Sequence, residues 1–329
     1  MKHLLREKAS TLPCLPGVYL MKDSQGSVIY VGKSKELRKR VGSYFGSDKG
    51  HSPKVKRLVR HIKSFDYEVV DTEFEALLRE CELIKTLKPI YNRLLKEDKK
   101  YCYLVVCPEN PLPRAEIAYE KGKEGLYFGP YDRKQGLVEA VQALNTYYQW
   151  PTCKEVLPKE GCLSFLSGKC IGCCDPQIRE EQVPLRLERM IDFLKGGNEE
   201  PLFFCEKKMQ EAALNLAFEK ANFYKNNLSS LKALRFRKEA VAYSLSHQKG
   251  LLFMPKPTGG IKVYGLQGTT VLFSNEVEKE EVTSSLKDQL LQEATEPRVS
   301  LRKEEVDAAY IVYSYIQGKG DSTYIPIEE

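Results

Sequence analysis

Hydrophobic and polar positions near the start of the chain predict a β-hairpin. Residues 17–22 (GVYLMK) and 27–32 (SVIYVG) are rich in β-branched and aromatic side chains, and residues 23–26 (DSQG) between them have the composition of a turn. If Lys22 pairs with Ser27, Tyr19 stands opposite Tyr30 and the two phenols share one face of the sheet. The pair either stabilises the hairpin alone or belongs to a site.

The end of the second strand also resembles a phosphate-binding loop, because Gly26 is followed by Gly32-Lys33-Ser34. A P-loop has the pattern G-x-x-x-x-G-K-[ST], and the spacing here is one residue longer. The intervening residues are strand formers rather than loop formers. We therefore do not expect this segment to bind a nucleotide.

Two basic helices are predicted after the hairpin. Ser34 can cap a helix over residues 35–45, and residues 51–63 (HSPKVKRLVRHIK) predict another helix with a Lys/Arg-rich outer face. One stripe at helical spacing consists of Lys33, Leu37, Arg40 and Tyr44. These side chains suit a phosphate site beside the two phenols, since a guanidinium can bind two phosphate oxygens. The alternative is a solvated basic surface.

Residues 73–87 (EFEALLRECELIKTL) form the strongest helical pattern in the chain. Its apolar stripe consists of Ala76, Leu77, Leu83, Ile84 and Leu87. Glu80 falls in the middle of this stripe, where an ionised carboxylate is costly unless it is paired or bound to a metal. The alternatives are a salt bridge to a buried arginine and a hard metal ion held by one carboxylate and waters. With tyrosines, Lys33 and Arg40 nearby, a metal held by Glu80 indicates phosphodiester hydrolysis.

Composition and charge narrow the class of protein. The 329 residues are enough for two or three domains, and no apolar run reaches the length of a membrane span. The N-terminus has no continuous apolar core, so we expect a cytoplasmic protein without membrane association. The net charge is +6, but residues 1–60 carry 14 Lys/Arg against 4 Asp/Glu. This asymmetry favours a domain that faces nucleic acid, with a solvated basic surface as the alternative.

Ten cysteines in a cytosolic chain favour metal ligation or burial over disulfides. Isolated positions, interpreted as core or surface thiols, are Cys14, Cys81, Cys102, Cys107 and Cys205. The others are concentrated: Cys153, Cys162, Cys170, Cys173 and Cys174. Thiolates at this density bind Zn²⁺ or an iron–sulfur cluster, and the spacing alone does not choose between them.

The N-terminal motifs resemble a known nuclease family. They are Gly17-Val18-Tyr19, Tyr30-Val31-Gly32-Lys33, LRKRVGSYF (37–45) and ELIKTLKPIYN (82–92). Over about residues 10–100 they resemble the GIY-YIG nuclease domain, and within it the N-terminal half of the UvrC family. The resemblance implies an α+β fold in which helices flank a small, mainly antiparallel sheet.

The resemblance also implies roles for individual residues. Tyr30 would be the general base for the attacking water, with Tyr19 beside it in the proton network. Arg40 and Lys33 would stabilise the scissile phosphate, Glu80 would hold one Mg²⁺ or Mn²⁺, and Tyr44 and Asn92 would complete the pocket. Because the pKa of a tyrosine is about 10, Tyr30 can act as a base only if the metal and the cationic side chains favour phenolate, or if proton loss is concerted with attack.

Two later segments resemble the same family. The cysteine-rich segment, with YFGPY (127–131) before it, resembles a region that binds a [4Fe–4S] cluster. This implies Cys153, Cys162, Cys170 and Cys174 as ligands, with Cys173 as a spare and Zn²⁺ as the alternative metal. Residues 206–235 predict an amphipathic helical hairpin, and MQEAALNLAFEKA (209–221) within it resembles the UVR motif that joins UvrC to UvrB. Lys225-Asn226 departs from the usual Arg-Asp pair of that motif.

The remaining residues predict a small accessory domain. Residues 237–329 contain four strand-like pieces (LLFM, IKVYG, TTVLF and AAYIVYSYI) and an acidic helix near 276–294. The acids of this segment, including Asp288, Asp307 and Asp321, do not suggest a metal-binding set. The predicted organisation is a nuclease domain (1–98), a linker with a cysteine-rich cluster-binding domain (99–200), a UVR-like hairpin (201–236) and an α+β accessory domain (237–329).

The resemblance implies a metal-dependent endodeoxyribonuclease of nucleotide excision repair. It would nick damaged double-stranded DNA once, on the 3′ side of the lesion, as the short, single-nuclease Cho-type members do. UvrB would be its partner, and UvrA would act upstream to locate the damage. The alternatives are a GIY-YIG endonuclease that needs no UvrB and has another target, and a non-catalytic DNA-binding accessory of repair.

Overall fold

The computed structural model describes residues 2–46, 50–92, 101–108, 110, 113–131, 134–151, 153, 163–246, 248–296 and 300–327. In chain order the elements are α1 (Lys2–Ser10), β1 (Gly17–Lys22), β2 (Val28–Ser34), α2 (Leu37–Phe45), α3 (Pro53–His61), β3 (Ser64–Val69), α4 (Glu73–Leu87), β4 (Cys102–Val106), β5 (Ala115–Ala118), β6 (Leu126–Tyr131), α5 (Lys134–Tyr147), α6 (Leu163–Leu166), α7 (Pro176–Glu181), α8 (Val183–Lys195), α9 (Glu200–Leu214), α10 (Phe218–Ser244), β7 (Lys249–Pro255), β8 (Ile261–Gln267), β9 (Thr270–Val277), α11 (Ser284–Gln292), α12 (Val306–Ile316) and β10 (Thr323–Ile327).

These elements form two compact units. The first combines Met1–Lys99 with Ala242–Glu329, and the second is Lys100–Val241. The first unit contains one sheet of order β2-β1-β3 and another of order β10-β7-β8-β9, and the second unit contains a sheet of order β5-β4-β6. All paired strands are antiparallel, and helices precede or follow the strands of each sheet in the chain. The predicted α+β fold with small antiparallel sheets is confirmed, while the division into four domains stays a prediction.

The N-terminal hairpin forms where it was predicted, but its predicted register is wrong. Tyr19 pairs with Gly32 and Met21 pairs with Tyr30, and a β-bulge follows Met21. The turn is longer than expected because the Asp23 carboxylate accepts hydrogen bonds from the N–H groups of Gln25 (2.9 Å) and Ser27 (3.0 Å). A shift of two residues preserves the face on which each side chain lies, so Tyr19 and Tyr30 remain neighbours on one face as a diagonal pair.

The helix after the hairpin starts later than predicted. Strand β2 continues through Lys33 to Ser34, and α2 begins only at Leu37. Ser34 does not cap this helix, because its Oγ accepts a hydrogen bond from the N–H of Glu36 at 2.9 Å, before the helix begins. Lys33 is therefore a strand residue. The second predicted helix is confirmed as α3, whose outward positions are Lys54, Lys56, Arg57 and Arg60.

Helix α4 spans the predicted residues and has two apolar faces. It begins after Thr72, whose Oγ1 accepts a hydrogen bond from the N–H of Glu75. On one face Leu83 and Ile84 pack against Val18 and Val31 of the hairpin. The other face packs on the C-terminal sheet and on α12 through Phe74, Leu77 and Leu78. Leu87 does not belong to a buried stripe as predicted, since it is 43 % exposed in the last turn.

The C-terminal residues contain three of the four predicted strands, as β7, β8 and β9. The fourth prediction is wrong, since AAYIVYSYI belongs to helix α12. This run is apolar on nearly all sides and lies buried, and such runs do not distinguish a strand from a helix by their period. The acidic helix is shorter than predicted, because β9 continues to Val277 and α11 begins at Ser284.

In the second unit, β4, α5 and α8 enclose a core that includes Trp150 and Met190. The predicted helical hairpin is present as α9 and α10, with Leu228 and Leu231 buried in this core. The apolar residues around the turn of the hairpin face solvent: Leu214, Leu216 and Phe218 are exposed. No helix in the described ranges combines the length and the apolar character that crossing a bilayer requires.

Candidate active site

Three phenols lie together where β1, β2 and α2 meet. The ring centroids of Tyr19, Tyr30 and Tyr44 are 5.8 to 6.3 Å apart in each pair. The hydroxyl groups of Tyr19 and Tyr44 share a hydrogen bond of 2.9 Å. Tyr19 is fully buried and Tyr44 nearly so, whereas Tyr30 is only partly buried. Of the three, Tyr30 is therefore the phenol best placed to meet a molecule from solvent.

The environment of Tyr19 and Tyr30 raises the pKa of both phenols. Burial raises the pKa of Tyr30 well above its ordinary value, and the Tyr44 hydroxyl and the Glu80 carboxylate raise it further. Burial raises the pKa of Tyr19 in the same way. Arg40 opposes both shifts, and its Nε donates a hydrogen bond to the Tyr19 hydroxyl at 3.3 Å. The Arg40 side chain is exposed beyond this contact, so it can still reach an anion.

Helix α4 places Glu80 beside this cluster. The N–H of Lys33 donates a hydrogen bond to Glu80 Oε1 at 3.0 Å. Among the residues that the structure describes, this is its only hydrogen bond, and Glu80 makes no ion pair. Burial raises the pKa of Glu80, while the Lys33 N–H and the charges of Lys33 and Arg40 lower it in part. Glu80 is thus a partly buried carboxylate with an oxygen still available.

Sequence reasoning missed Glu73, which binds the Lys33 side chain. The Lys33 ammonium forms an ion pair with one oxygen of Glu73, and Lys35 Nζ lies 2.9 Å from the other. The two ammonium groups lower the pKa of Glu73 against the effect of burial. The separation of 40 residues between Lys33 and Glu73 explains why no local pattern could have indicated the pair.

Asn92 holds the edge of the sheet. Its Oδ1 accepts a hydrogen bond from the N–H of Val31, and its Nδ2 donates one to the carbonyl of Val31, both at 2.9 Å. Strand β2 is the edge strand of its sheet, so the Asn92 amide satisfies backbone groups that no further strand pairs with. Asn92 therefore positions β2, which carries Tyr30 and Lys33, and its predicted place in the pocket stays a prediction.

Two glycines of the hairpin are also required by the site, and sequence reasoning did not assign them a role. A Cβ atom on Gly32 would collide with the hydroxyl and Cζ of Tyr19. A Cβ atom on Gly17 would collide with the carbonyl of Glu68 and the side chain of Leu37. The sequence did contain a signal for this role, because both glycines lie in segments of strand-forming residues. A glycine in a strand often marks a place where another group lies close to the backbone.

The site fits a hard divalent cation. Its donor is a carboxylate oxygen that no ion pair occupies among the described residues, and the surrounding groups are hydroxyls rather than thiols. Mg²⁺ is held by one or two carboxylates and keeps several waters, so a single glutamate is a sufficient protein ligand. No group of three or more His, Cys, Asp or Glu side chains suited to a metal occurs in the described part of the chain.

The cysteine-rich segment is only partly described. Cys162 lies outside the described residues. Cys170 and Cys173 are buried in the core of the second unit, and Cys153 packs against that core. Burial, with smaller contributions from Cys170, Cys174 and Cys153, raises the pKa of Cys173 to about 12. The thiols therefore lie near one another, but those described do not form a metal site, and the predicted cluster stays a prediction.

Three family models match the chain in succession. A UvrC-like GIY-YIG domain matches residues 15–93, a UvrC/Cho excinuclease middle domain matches residues 101–193, and a UvrB/UvrC motif matches residues 204–234. All seven residues predicted for the nuclease site fall within the first match.

Similar proteins carry the same family name. The chain is 33 % identical to the UvrABC system protein C of Acetivibrio thermocellus, over 98 % of this chain and 54 % of that protein. It is 40 % identical to the UvrABC system protein C of Caldicellulosiruptor saccharolyticus, over 73 % of this chain and 41 % of that protein. The chain thus spans about half the length of the curated relatives it matches.

Among solved structures, the chain is similar to the GIY-YIG N-terminal endonuclease domain of UvrC from Thermotoga maritima, bound to magnesium as its catalytic divalent cation. The identity is 38 %, the match covers 28 % of this chain and all of that domain, and the TM-score is 0.26. The three family matches in this order, with relatives along almost the whole sequence, lead to one conclusion: the chain belongs to the UvrC family.

Proposed function

We propose that this chain is a metal-dependent endonuclease that makes a single incision in damaged double-stranded DNA, on the 3′ side of the lesion, during nucleotide excision repair. The observation that carries the proposal is the convergence of Tyr30, Arg40 and Glu80 on one pocket within the segment that the GIY-YIG model matches. Phosphodiester hydrolysis needs a group that accepts a proton, a positive charge that binds the phosphate and a carboxylate that holds a metal. Tyr30, Arg40 and Glu80 would supply these in turn.

Each side chain has a part in this reaction. Tyr30 is the most accessible phenol. In its phenolate form, which Arg40 and a cation bound at Glu80 would favour, it takes the proton of the attacking water and becomes the neutral phenol. Tyr19 and Tyr44 position the ring of Tyr30 through ring contacts, and the Tyr44 hydroxyl also interacts with the Tyr30 hydroxyl. Arg40 binds the non-bridging oxygens of the phosphate with its exposed guanidinium and lowers the pKa of Tyr30.

Glu80 would hold the cation, either Mg²⁺ or Mn²⁺. When bound, the cation supplies positive charge that favours ionisation of nearby groups and stabilises charge on the leaving oxygen. The raised pKa of Tyr30 makes its phenolate form scarce without the cation. Lys33 contributes through its N–H, which fixes Glu80, and through its positive charge.

The test is the incision of duplex DNA that contains a defined lesion, with and without UvrA and UvrB. We expect one nick on the 3′ side of the lesion that requires a divalent cation and is lost in Tyr30→Phe and Glu80→Gln. Cutting of undamaged DNA without the partners would instead favour an independent endonuclease. Absence of any metal-dependent nicking under both conditions would favour a non-catalytic accessory.

The hairpin of α9 and α10 is proposed to bind UvrB. A UvrB/UvrC motif matches residues 204–234, and apolar side chains around the turn, including Leu214, Leu216 and Phe218, are exposed. Contiguous exposed apolar residues indicate a protein interface. Leu216→Ser with Phe218→Ser should weaken co-purification with UvrB and UvrB-dependent incision while leaving Mn²⁺ binding at Glu80 intact. Unchanged UvrB binding would contradict this assignment.

The thiols are proposed to bind a [4Fe–4S] cluster through Cys153, Cys162, Cys170 and Cys174, with Zn²⁺ as the alternative. Proximity of the described thiols supports a soft metal, and the raised pKa of the buried Cys173 disfavours its thiolate, as expected for a spare thiol. No step of the reaction depends on this cluster. Anaerobic purification followed by iron, zinc and sulfide analysis tests the proposal, and one zinc without iron would contradict it.

A further inference from the structure

The C-terminal residues of the first unit are attached to the helix that carries Glu80. The Thr72 hydroxyl shares a hydrogen bond of 2.7 Å with the Tyr264 hydroxyl at the start of α4. Near the end of α4, Lys85 Nζ lies 3.0 Å from a carboxylate oxygen of Asp307, which is 7 % exposed. Between these two polar contacts, Phe74 packs in a core with residues of β7, β8 and α12. The side of α4 that faces away from the hairpin is therefore held by the C-terminal residues.

This attachment brings the loop after α12 to the edge of the candidate active site. The loop, residues 317–322 (QGKGDS), turns through Gly318 and Gly320, which both have positive φ. Lys319 Nζ lies 5.1 Å from the ring centroid of Tyr315, and that ring lies 5.1 Å from the ring of Phe74. Phe74 adjoins Glu73, and the Glu73 carboxylate, together with burial, raises the pKa of Tyr315.

Lys319 is a third ammonium group near the ion pairs of Glu73. Lys33 and Lys35 both pair with Glu73. Burial lowers the pKa of Lys319, the charges of Lys33 and Lys35 lower it further, and Glu73 opposes the shift. Asp321 also acts on Lys35 from the same loop. The three ammonium groups outnumber the carboxylates of Glu73 and Asp321, and the N–H of Lys33 also binds the Glu80 carboxylate, the candidate metal ligand.

We propose that Lys319, with Lys33 and Lys35, binds backbone phosphates of DNA that flank the scissile bond. Ammonium groups are compact point charges that neutralise phosphates without reading the sequence, which suits a nuclease that cuts beside a lesion. The site rests on the proposed function, since it deepens the description of how the DNA substrate is held. It assigns a substrate contact to C-terminal residues, which lie outside the three family matches.

Glu73 has a definite role in this arrangement. Without DNA, the Glu73 carboxylate pairs with the ammonium groups of Lys33 and Lys35. When DNA is bound, a backbone phosphate would take the place of this carboxylate. The carboxylate therefore competes with the phosphate, and it prevents the lysines from repelling one another. Removal of the charge in Glu73→Gln should strengthen DNA binding, whereas removal of the charge in Lys319→Gln should weaken it. The two variants thus have opposite expected effects.

The test measures binding of the full chain to a short fluorescent DNA duplex by anisotropy, without divalent metal, over a series of salt concentrations. We expect Lys319→Gln to weaken binding by about threefold to tenfold, and to lower the slope of log K against log salt by about one. Lys319→Arg, which keeps the charge, should bind as the wild type does. The matched control is Lys287→Gln on α11, an exposed lysine of the same unit.

DNA affinity and its salt dependence test the phosphate site, whereas nicking of DNA tests the proposed function. Equal affinity and equal salt slope for the wild type and Lys319→Gln would overturn it, as would an equal loss in Lys287→Gln. Thermal melting of each variant checks that the fold is kept. A wild-type chain that never nicks DNA, but whose salt slope still depends on Lys319, would contradict the nuclease assignment and leave the phosphate site standing.

Discussion

The phenol ring of Tyr19 lies directly over Gly32, its partner across β1 and β2. Any side chain at residue 32 must displace this ring, and with it the hydrogen bond between Tyr19 and Tyr44. We expect Gly32→Ala to lower the free energy of unfolding by about 1–3 kcal/mol, the usual cost of overpacking. Chemical denaturation measures the change, and incision should fall with it because the phenols move apart.

Gly42→Ala is the matched control for this substitution. Gly42 lies in α2, where an added Cβ would meet nothing within 4 Å. Alanine is favoured over glycine in a helix by about 1 kcal/mol, so this variant should be slightly more stable than the wild type. If the two variants behave alike, the packing of Tyr19 on Gly32 is not the cause of the effect.

Tyr30→Phe removes one hydroxyl and leaves the ring in place. If Tyr30 takes the proton of the attacking water, the single-turnover rate of incision should fall by about 10²–10⁴-fold. DNA affinity and melting temperature should change little, because Tyr30 is the most accessible of the three phenols. Tyr91→Phe removes a hydroxyl that hydrogen-bonds to His61 outside the cluster, and it should cut at nearly the normal rate.

Glu80→Gln keeps the shape of the side chain and removes its charge. We expect calorimetric titration with Mn²⁺ to show lost or strongly weakened binding, and incision to be lost at metal concentrations that saturate the wild type. Glu82→Gln alters a nearby glutamate that pairs with Arg79 on the surface, and it should bind Mn²⁺ normally. Equal Mn²⁺ affinity in Glu80→Gln and the wild type would place the metal elsewhere.

Asn92→Ala should destabilise the sheet edge. It leaves the N–H and carbonyl of Val31 without their partner, and each unpaired buried group costs about 1–3 kcal/mol. Asn92→Asp retains the acceptor for the N–H but loses the donor for the carbonyl, so its loss of stability should be intermediate. Hydrogen exchange at Val31 provides a local readout. Full protection in Asn92→Ala would show that β2 does not depend on this side chain.

The sequence predicted those parts of the site that depend on local periodicity. The pattern of residues 73–87 predicted α4 and the position of Glu80 on its apolar side, because a helical stripe requires no knowledge of distant residues. The shared face of Tyr19 and Tyr30 was also predictable, since the two-residue period of a strand survives a register error of two.

Other features depended on contacts that no local pattern contains. The hairpin register was set by hydrogen bonds of Asp23 within the turn. The sequence of helix α12 predicts a strand because burial makes it apolar on nearly all sides, which hides the helical period. The pairing of Lys33 with Glu73 and of Thr72 with Tyr264 joins residues far apart in the chain, so only the folded structure could reveal them.

The second apolar face of α4 has a consequence for synthesis of the protein. The residues that cover Phe74, Leu77 and Leu78 lie beyond residue 250, and the whole second unit is translated in between. A growing chain therefore presents an uncovered apolar helix to the cell until the residues beyond 250 leave the ribosome. Nascent chains in this interval are the ones expected to aggregate or to engage chaperones.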